Sequence, residues 1–227
     1  MNSFAIHPIA HIESDFSSPF GIPRQAGIVE ELEGRIIFEP EYRIDEALRG
    51  IEGYSHLWLI WQFSENIRSE FSPTVRPPRL GGNVRMGVFA TRSPFRPNSL
   101  GLSCVKLLRT EKTSALGTTL VVAGADLMNG TPIFDIKPYI PYSDCVPEAS
   151  EGFAAKPAFP LSVVFAPGTA ETLPAEKATA LEKVLSCDPR PHYHNDPERI
   201  YGMEFAGMDV RFTVADGVLT VREIRKL

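Results

Sequence analysis

Tyr54-Ser55-His56-Leu57-Trp58-Leu59-Ile60-Trp61-Gln62-Phe63 is the stretch on which the fold turns. It is almost continuously apolar, short, and rich in aromatic side chains, which predicts a strand buried on both faces. Working outward, comparable short runs recur at 5–12 and 35–38 before it, and at 85–91, 102–108, 118–123 and 132–136 after it. Many short strands separated by Gly and Pro predict a mostly β fold, either a barrel or a sandwich. One short helix is expected at 44–49, with Gly50 placed to stop it.

Composition shifts at 148–160 (EASEGFAAKPAFP), which reads as a linker and divides the chain into 1–148 and 149–227. The second part begins with a strand at 161–165. A helix over 175–186 follows, with Ala178, Leu181, Val184 and Leu185 on one face. A hairpin ends the chain, with strands at 210–214 and 218–221 joined by Asp216-Gly217. That pair suits a type I′ turn, in which both central residues need positive φ.

With 43% hydrophobic and 22% charged residues, the chain has the profile of a globular protein. No run of about 18 apolar residues is present, so no membrane-spanning helix is expected. Met1-Asn2-Ser3-Phe4 lacks a basic start and apolar run, so no signal peptide is expected. Cys104, Cys145 and Cys187 lie far apart without CxxC spacing, which argues against a disulfide framework and favours a reducing, cytoplasmic setting. There is no HExxH, and His192 and His194 have no cysteine pair beside them, so no metal is expected. Neither a P-loop nor a GxGxxG fingerprint is present.

Charge is unevenly distributed. Residues 71–110 hold Arg76, Arg79, Arg85, Arg92, Arg96, Lys106 and Arg109 and not one acid, although the whole chain carries a net −5. Such a segment on an acidic body points to an anionic ligand. Prolines at 73, 77 and 78 stiffen the long connection between 64 and 84, which suits a shaped loop. Ile22-Pro23-Arg24-Gln25 offers a guanidinium and an amide from a stiff turn. Arg92-Ser93-Pro94-Phe95-Arg96-Pro97-Asn98 offers two guanidinium forks that can clamp carboxylate or phosphate, with Phe95 able to stack on a base. Asp126, before the Asn129-Gly130 turn, could accept hydrogen bonds from a ribose or an amine. Asp135 and Lys137 share one side of a strand, as an ion pair or as an acid and a base. Asp188-Pro189-Arg190-Pro191-His192-Tyr193 is a basic, aromatic loop that could touch RNA or cap the preceding helix.

Together, PRQ at 23–25, TVRPPRLGGN at 74–83, RMGVFATRSPFRPN at 85–98, DLMNGTP at 126–132, DIKPYIP at 135–141 and DPRPHY at 188–193 resemble the TrmO (TsaA-like) family in order and spacing. The resemblance implies a single-sheet β-barrel followed by a small α+β domain. It also implies a homodimer that uses S-adenosyl-L-methionine to methylate N6 of threonylcarbamoyladenosine at position 37 of tRNA. By the same resemblance the cofactor meets Arg24, Gln25, Phe63, Ser64, Arg92, Leu102, Asp126, Leu127, Met128 and Asn129. Arg76, Arg79, Arg85, Phe95, Arg96 and Arg190 are then candidates for tRNA contact, and Asp135, Lys137 and Tyr139 for proton handling and charge stabilisation. Ser64-Glu65 departs from the His-Gln expected of the family. Two other classes use the same residues. One is a non-enzymatic tRNA-binding module. The other is a hydrolase or lyase of a phosphorylated metabolite, with Arg92 and Arg96 on phosphate and Asp135 as base.

Overall fold

The computed structural model describes residues 4–67, 70–77, 80, 82–154, 160–190 and 196–227. Eight strands occupy the first part: β1 (Ala10–Glu13), β2 (Glu33–Phe38), β3 (His56–Gln62), β4 (Thr74–Val75), β5 (Met86–Gly87), β6 (Leu100–Thr113), β7 (Gly117–Ala123) and β8 (Pro132–Pro138). Six of them form one sheet in the order β1-β2-β7-β6-β3-β8. β8 pairs back onto β1 through Ala10 with Ile133 and His11 with Pro132, so the ladder returns to its start. β4 and β5 form a separate two-residue ladder.

The central strand departs from expectation in its burial. In β3, Leu57, Leu59 and Trp61 are buried, whereas His56, Trp58, Ile60 and Gln62 are only half-buried. The inward set joins Ala10, Ile12, Ile36, Val105, Leu120, Val122 and Ile133 in one core. The outward set is covered in part, because the sheet turns that face away from its own core. Gly101, opposite Trp61 on β6, permits this packing: a Cβ there would lie 2.3 Å from the Trp61 ring.

Three local expectations change. The strand expected at 5–12 pairs only from Ala10, and Phe4 and Ile6 before it are exposed. Residues 85–91 hold just the Met86–Gly87 ladder, then a 3-10 turn at Val88–Ala90. That turn forms because Thr91 N–H, Thr91 Oγ1–H and Arg96 Nη1–H all donate to the Val88 carbonyl. The helix expected at 44–49 is a 3-10 turn, Asp45–Leu48, too short for α-helical bonding; Gly50 follows at φ 89°.

A one-turn helix, α1 (Pro141–Asp144), leads out of the sheet. The second part comprises β9 (Ser162–Phe165), α2 (Ala175–Ser186), β10 (Tyr201–Phe205), β11 (Met208–Ala215) and β12 (Val218–Lys226). Its sheet runs β10-β11-β12-β9, with β9 parallel to β12. Asp216 and Gly217 have φ of 49° and 76°, as a type I′ turn requires. α2 buries Ala180, Leu181, Val184 and Leu185 against this sheet.

The two parts share a core. Phe16, Val29 and Leu32, from the connection between β1 and β2, join the cluster around α2, β10, β11 and β12. Each buried side chain of this size contributes roughly 1.5–3 kcal/mol. Lys177 pairs with the nearly buried Asp15 at 2.6 Å, and Ala206 N–H donates to the Asp15 carbonyl. The connection carrying Arg24 and Gln25 is therefore held by both parts.

Candidate functional site: a cleft at one end of the sheet

Antiparallel pairing brings the end of β3, the start of β6, the end of β7 and the start of β8 to the same end of the sheet. The connections emerging there, 14–32, 63–99 and 124–131, enclose a cleft of about 650 Å³. Of the residues expected to meet a cofactor, Arg24, Gln25, Phe63, Ser64, Arg92, Leu102, Asp126 and Met128 line it. Leu127 and Asn129 do not. Leu127 is fully buried in the core, and the Asn129 side chain accepts Ser14 N–H at 3.1 Å. Both hold the segment that presents Asp126 and Met128. Ser64 and Glu65 are exposed on the wall, so the departure from the family pattern falls within the cleft itself.

A polar chain runs into this cleft from the core. Trp61 Nε1–H donates to Ser103 Oγ at 2.9 Å, and Ser103 Oγ–H donates to Asp126 Oδ1 at 2.5 Å. Ser103 is buried, so this relay satisfies it and fixes the carboxylate. Burial raises the Asp126 pKa above its ordinary value. The Ser103 hydrogen bond, backbone hydrogen bonding at Asp126 itself and at Ala26, and the charge of Arg92 act against that rise. On the facing wall, Arg92 Nη1–H donates to Gln25 Oε1, and Gln25 Nε2–H donates to the Arg24 carbonyl. Arg92 and Asp126 thus line one cleft, together with the apolar side chains of Ile22, Trp58, Phe63, Leu100, Leu102 and Met128 and with polar Gln62, Ser64, Glu65, Thr91 and Thr131.

The raised Asp126 pKa has a consequence for stability. The folded protein binds this proton more tightly than the unfolded chain does. Stability is therefore highest when the group is protonated, and falls as pH rises from the ordinary value of 3.8 through the raised one. Asp126→Asn is expected to remove that fall. Urea unfolding of both proteins across this window should show the variant gaining relative stability as pH rises; parallel curves would contradict the assignment.

The expected catalytic residues are placed elsewhere. Asp135, Lys137 and Tyr139 do not line the cleft. Asp135 and Lys137 form a 2.9 Å ion pair, opposite Ile60 and Trp58 of β3, on its outward side. They do share one side of the strand. Tyr139 packs against Trp58 and His56, at 5.7 and 6.2 Å between ring centroids. Burial, then Cys145, Cys104 and Asp144, raises the phenol above its ordinary pKa.

The basic segment is less free than its sequence implies. Arg109 pairs with Glu111 at 2.7 Å and Glu33 at 3.5 Å, acids that lie outside the acid-free window. Arg96 donates to the carbonyls of Val88 and Thr91 at 3.2 and 2.7 Å, which makes it a brace of the cleft wall. Arg190 is forked onto Asp188 at 2.8 and 2.9 Å and is half-buried, so its guanidinium is already engaged beside the end of α2. Phe95 is half-buried. Arg76, Arg85 and Arg92 are exposed, with Arg85 also donating to Thr74 Oγ1 at 3.2 Å. Arg79 and the His192–His194 loop lie outside the described residues.

Several cleft residues escaped sequence reasoning, among them Trp61, Ser103 and Gly101. Ser103 was legible in principle: a hydroxyl in the apolar run LGLSCV must find a buried partner. Among the described residues, no group of three His, Cys, Asp or Glu is arranged to hold a metal ion, and no helix is long and apolar enough to cross a membrane.

Residues 11–145 match the model of the tRNA-methyltransferase O N-terminal domain, and residues 158–227 match that of the TrmO C-terminal domain. The chain belongs to the TrmO family. Over 230 residues it is 40% identical to the tRNA (adenine(37)-N6)-methyltransferase of Escherichia coli K12, covering 95% of each chain. It is 38% identical over 216 residues to a Pseudomonas aeruginosa protein with the provisional name S-adenosylmethionine-dependent methyltransferase RcsF, covering 92% of this chain and 91% of that one. The crystal structure of TrmO from Pseudomonas aeruginosa superposes with a TM-score of 0.81 at 31% identity, over 98% of both chains.

Proposed function

We propose that this TrmO-family chain transfers the methyl group of S-adenosylmethionine to N6 of adenine 37 in tRNA, next to the anticodon, when that adenine carries a threonylcarbamoyl group. The observation that carries the reading is the cleft. A braced, largely buried carboxylate and an exposed guanidinium line one cleft with several apolar side chains, in a chain whose two parts match the family.

The donor set fits the cofactor's chemistry. Arg92 holds its carboxylate with a two-point hydrogen bond. Asp126 would accept from its amine or ribose, and Phe63, Leu102 and Met128 offer apolar surface for its adenine. Arg24 and Gln25 close the rim, and Leu127 and Asn129 support from behind. When bound, the sulfonium supplies an electrophilic methyl carbon. The chain's own contribution is alignment of acceptor and donor, which for a displacement at carbon is most of the catalysis. Exposed Arg76 and Arg85 meet the tRNA backbone, and Arg79 is assigned to the same role from its place in the sequence. The hydrolase reading lacks support: Asp135, its base, is outside the cleft and paired with Lys137.

The same reading takes the closed six-stranded sheet as a barrel, 1–148 as the catalytic domain and 149–227 as its α+β companion, working in the cytoplasm. It also makes the protein a homodimer. The segment after β8 leaves Tyr142 and Val146 exposed, an apolar surface suited to a second copy. Sedimentation at assay concentration is expected to find dimers, and a fully active monomer would remove this part. The central test is transfer from methyl-labelled S-adenosylmethionine to tRNA followed by nucleoside analysis. Label is expected on N6 of the adenine-37 nucleoside; label elsewhere, or none, overturns the assignment.

A further inference from the structure

We propose that Phe71 and Phe89 form a stacking platform for an unpaired base of the anticodon loop that flanks the methylated adenine. The proposal rests on tRNA being the substrate and names a contact the cleft does not supply.

The two rings belong to separate segments that the fold ties together. Val88 N–H donates to the Pro73 carbonyl at 3.0 Å, and the β4–β5 ladder continues from that point. Val88 is buried, which anchors the 3-10 turn and directs the next residue outward. Phe89 is 72% exposed and Phe71 51% exposed, yet they stack on each other at 6.2 Å between centroids and 25° between planes. A lone exposed Phe needs no explanation; two exposed rings held parallel by a braced backbone do.

The surroundings select the partner. The Arg96 guanidinium carbon lies 5.7 Å from the Phe89 ring centre, while its Nη1 donates to the carbonyls of Val88 and Thr91. Arg96 also lines the cleft, as do Thr91 and Arg92, two and three residues beyond Phe89. Arg76 and Arg85, both exposed, follow Phe71 and precede Phe89 in the chain. Stacked aromatic rings with a guanidinium over one of them, on the exposed basic segment, match an anionic strand with splayed bases better than an apolar protein face. Bases beside a nucleotide drawn into a cleft lose their own stacking partner, which the platform replaces.

The experiment compares Phe71→Ala, Phe89→Ala and Phe89→Trp with the wild-type full chain, using tRNA and a salt series. Each alanine variant is expected to bind tRNA about tenfold more weakly, in the range measured for one stacked base. The salt slope should stay unchanged, because losing an aromatic ring releases no counterions. Phe89→Trp should restore affinity. Calorimetry with S-adenosylmethionine should give wild-type affinity for all three variants. If wild-type protein methylates tRNA while both alanine variants bind it within twofold of wild type, the platform is wrong and the functional reading stands. If wild-type protein does not bind tRNA, the functional reading itself fails. Alanine variants that become monomeric would make the patch a subunit contact and overturn the proposal.

Discussion

Arg92→Ala is expected to weaken S-adenosylmethionine binding by roughly ten- to a hundredfold, the loss of a charge-assisted hydrogen-bonded pair. Arg92 is exposed and its hydrogen bond to Gln25 is a surface contact, so the fold should not suffer. Thermal unfolding without ligand should match wild type, while calorimetry shows the affinity loss. Arg92→Lys should recover only part of it, because an ammonium keeps the charge but cannot present two parallel donors to a carboxylate. The variant should also remove one of the influences that lower the Asp126 pKa, moving that group further upward. Unchanged affinity in Arg92→Ala would place the carboxylate elsewhere, with Arg24 the next cation on the wall.

Transfer of the methyl group to tRNA lacking the threonylcarbamoyl modification is expected to fall below detection, even though such tRNA still binds through its phosphates. The lone pair of an unmodified exocyclic amine is delocalised into the purine and is a poor nucleophile. Placing N6 between the ring and a carbonyl withdraws more density but makes the remaining N–H more acidic, so loss of that proton can accompany methyl transfer. The modification also adds a carboxylate, which an arginine at the cleft mouth can clamp. Labelled transfer to tRNA prepared with and without the modification decides the matter. Equal incorporation would show that the cleft reads something other than the ureido group. Neither Asp135 nor Tyr139 sits in the cleft in this single chain, so Asp135→Asn and Tyr139→Phe are expected to affect turnover less than Arg92→Ala.

How much of this was legible in advance follows from the range of each interaction. Alternation and turn chemistry are local, and they marked the mostly β architecture, α2 and the Asp216-Gly217 hairpin correctly. The motif pattern marked the segments that meet in the cleft, because Arg24, Arg92 and Asp126 sit in short, stiff stretches with special residue types. The outward face of β3 was misjudged: Trp58 and Ile60 have residue types that suit burial, but only closure of the sheet decides which side is inside.

By itself the sequence determined the mostly β character, the acid-free basic segment and the residues that supply the cleft's charge, since these depend on neighbours a few positions apart. Tertiary structure alone decided which of those charges remain available. Arg109 pairs with Glu111 two residues on, and only strand pairing brings Glu33 to it as a second acid, at 3.5 Å. One nitrogen of Arg96 is held by the carbonyls of Val88 and Thr91, which face it only because the chain makes a 3-10 turn at Val88–Ala90. Asp126 is tuned by Ser103 and Trp61 across two strands. Phe71 and Phe89 meet because the β4–β5 ladder pairs segments a dozen residues apart. The physical reason is common to all four: hydrogen bonds, ion pairs and ring contacts act over a few ångströms, and distance along the chain does not specify distance in space until the sheet has closed.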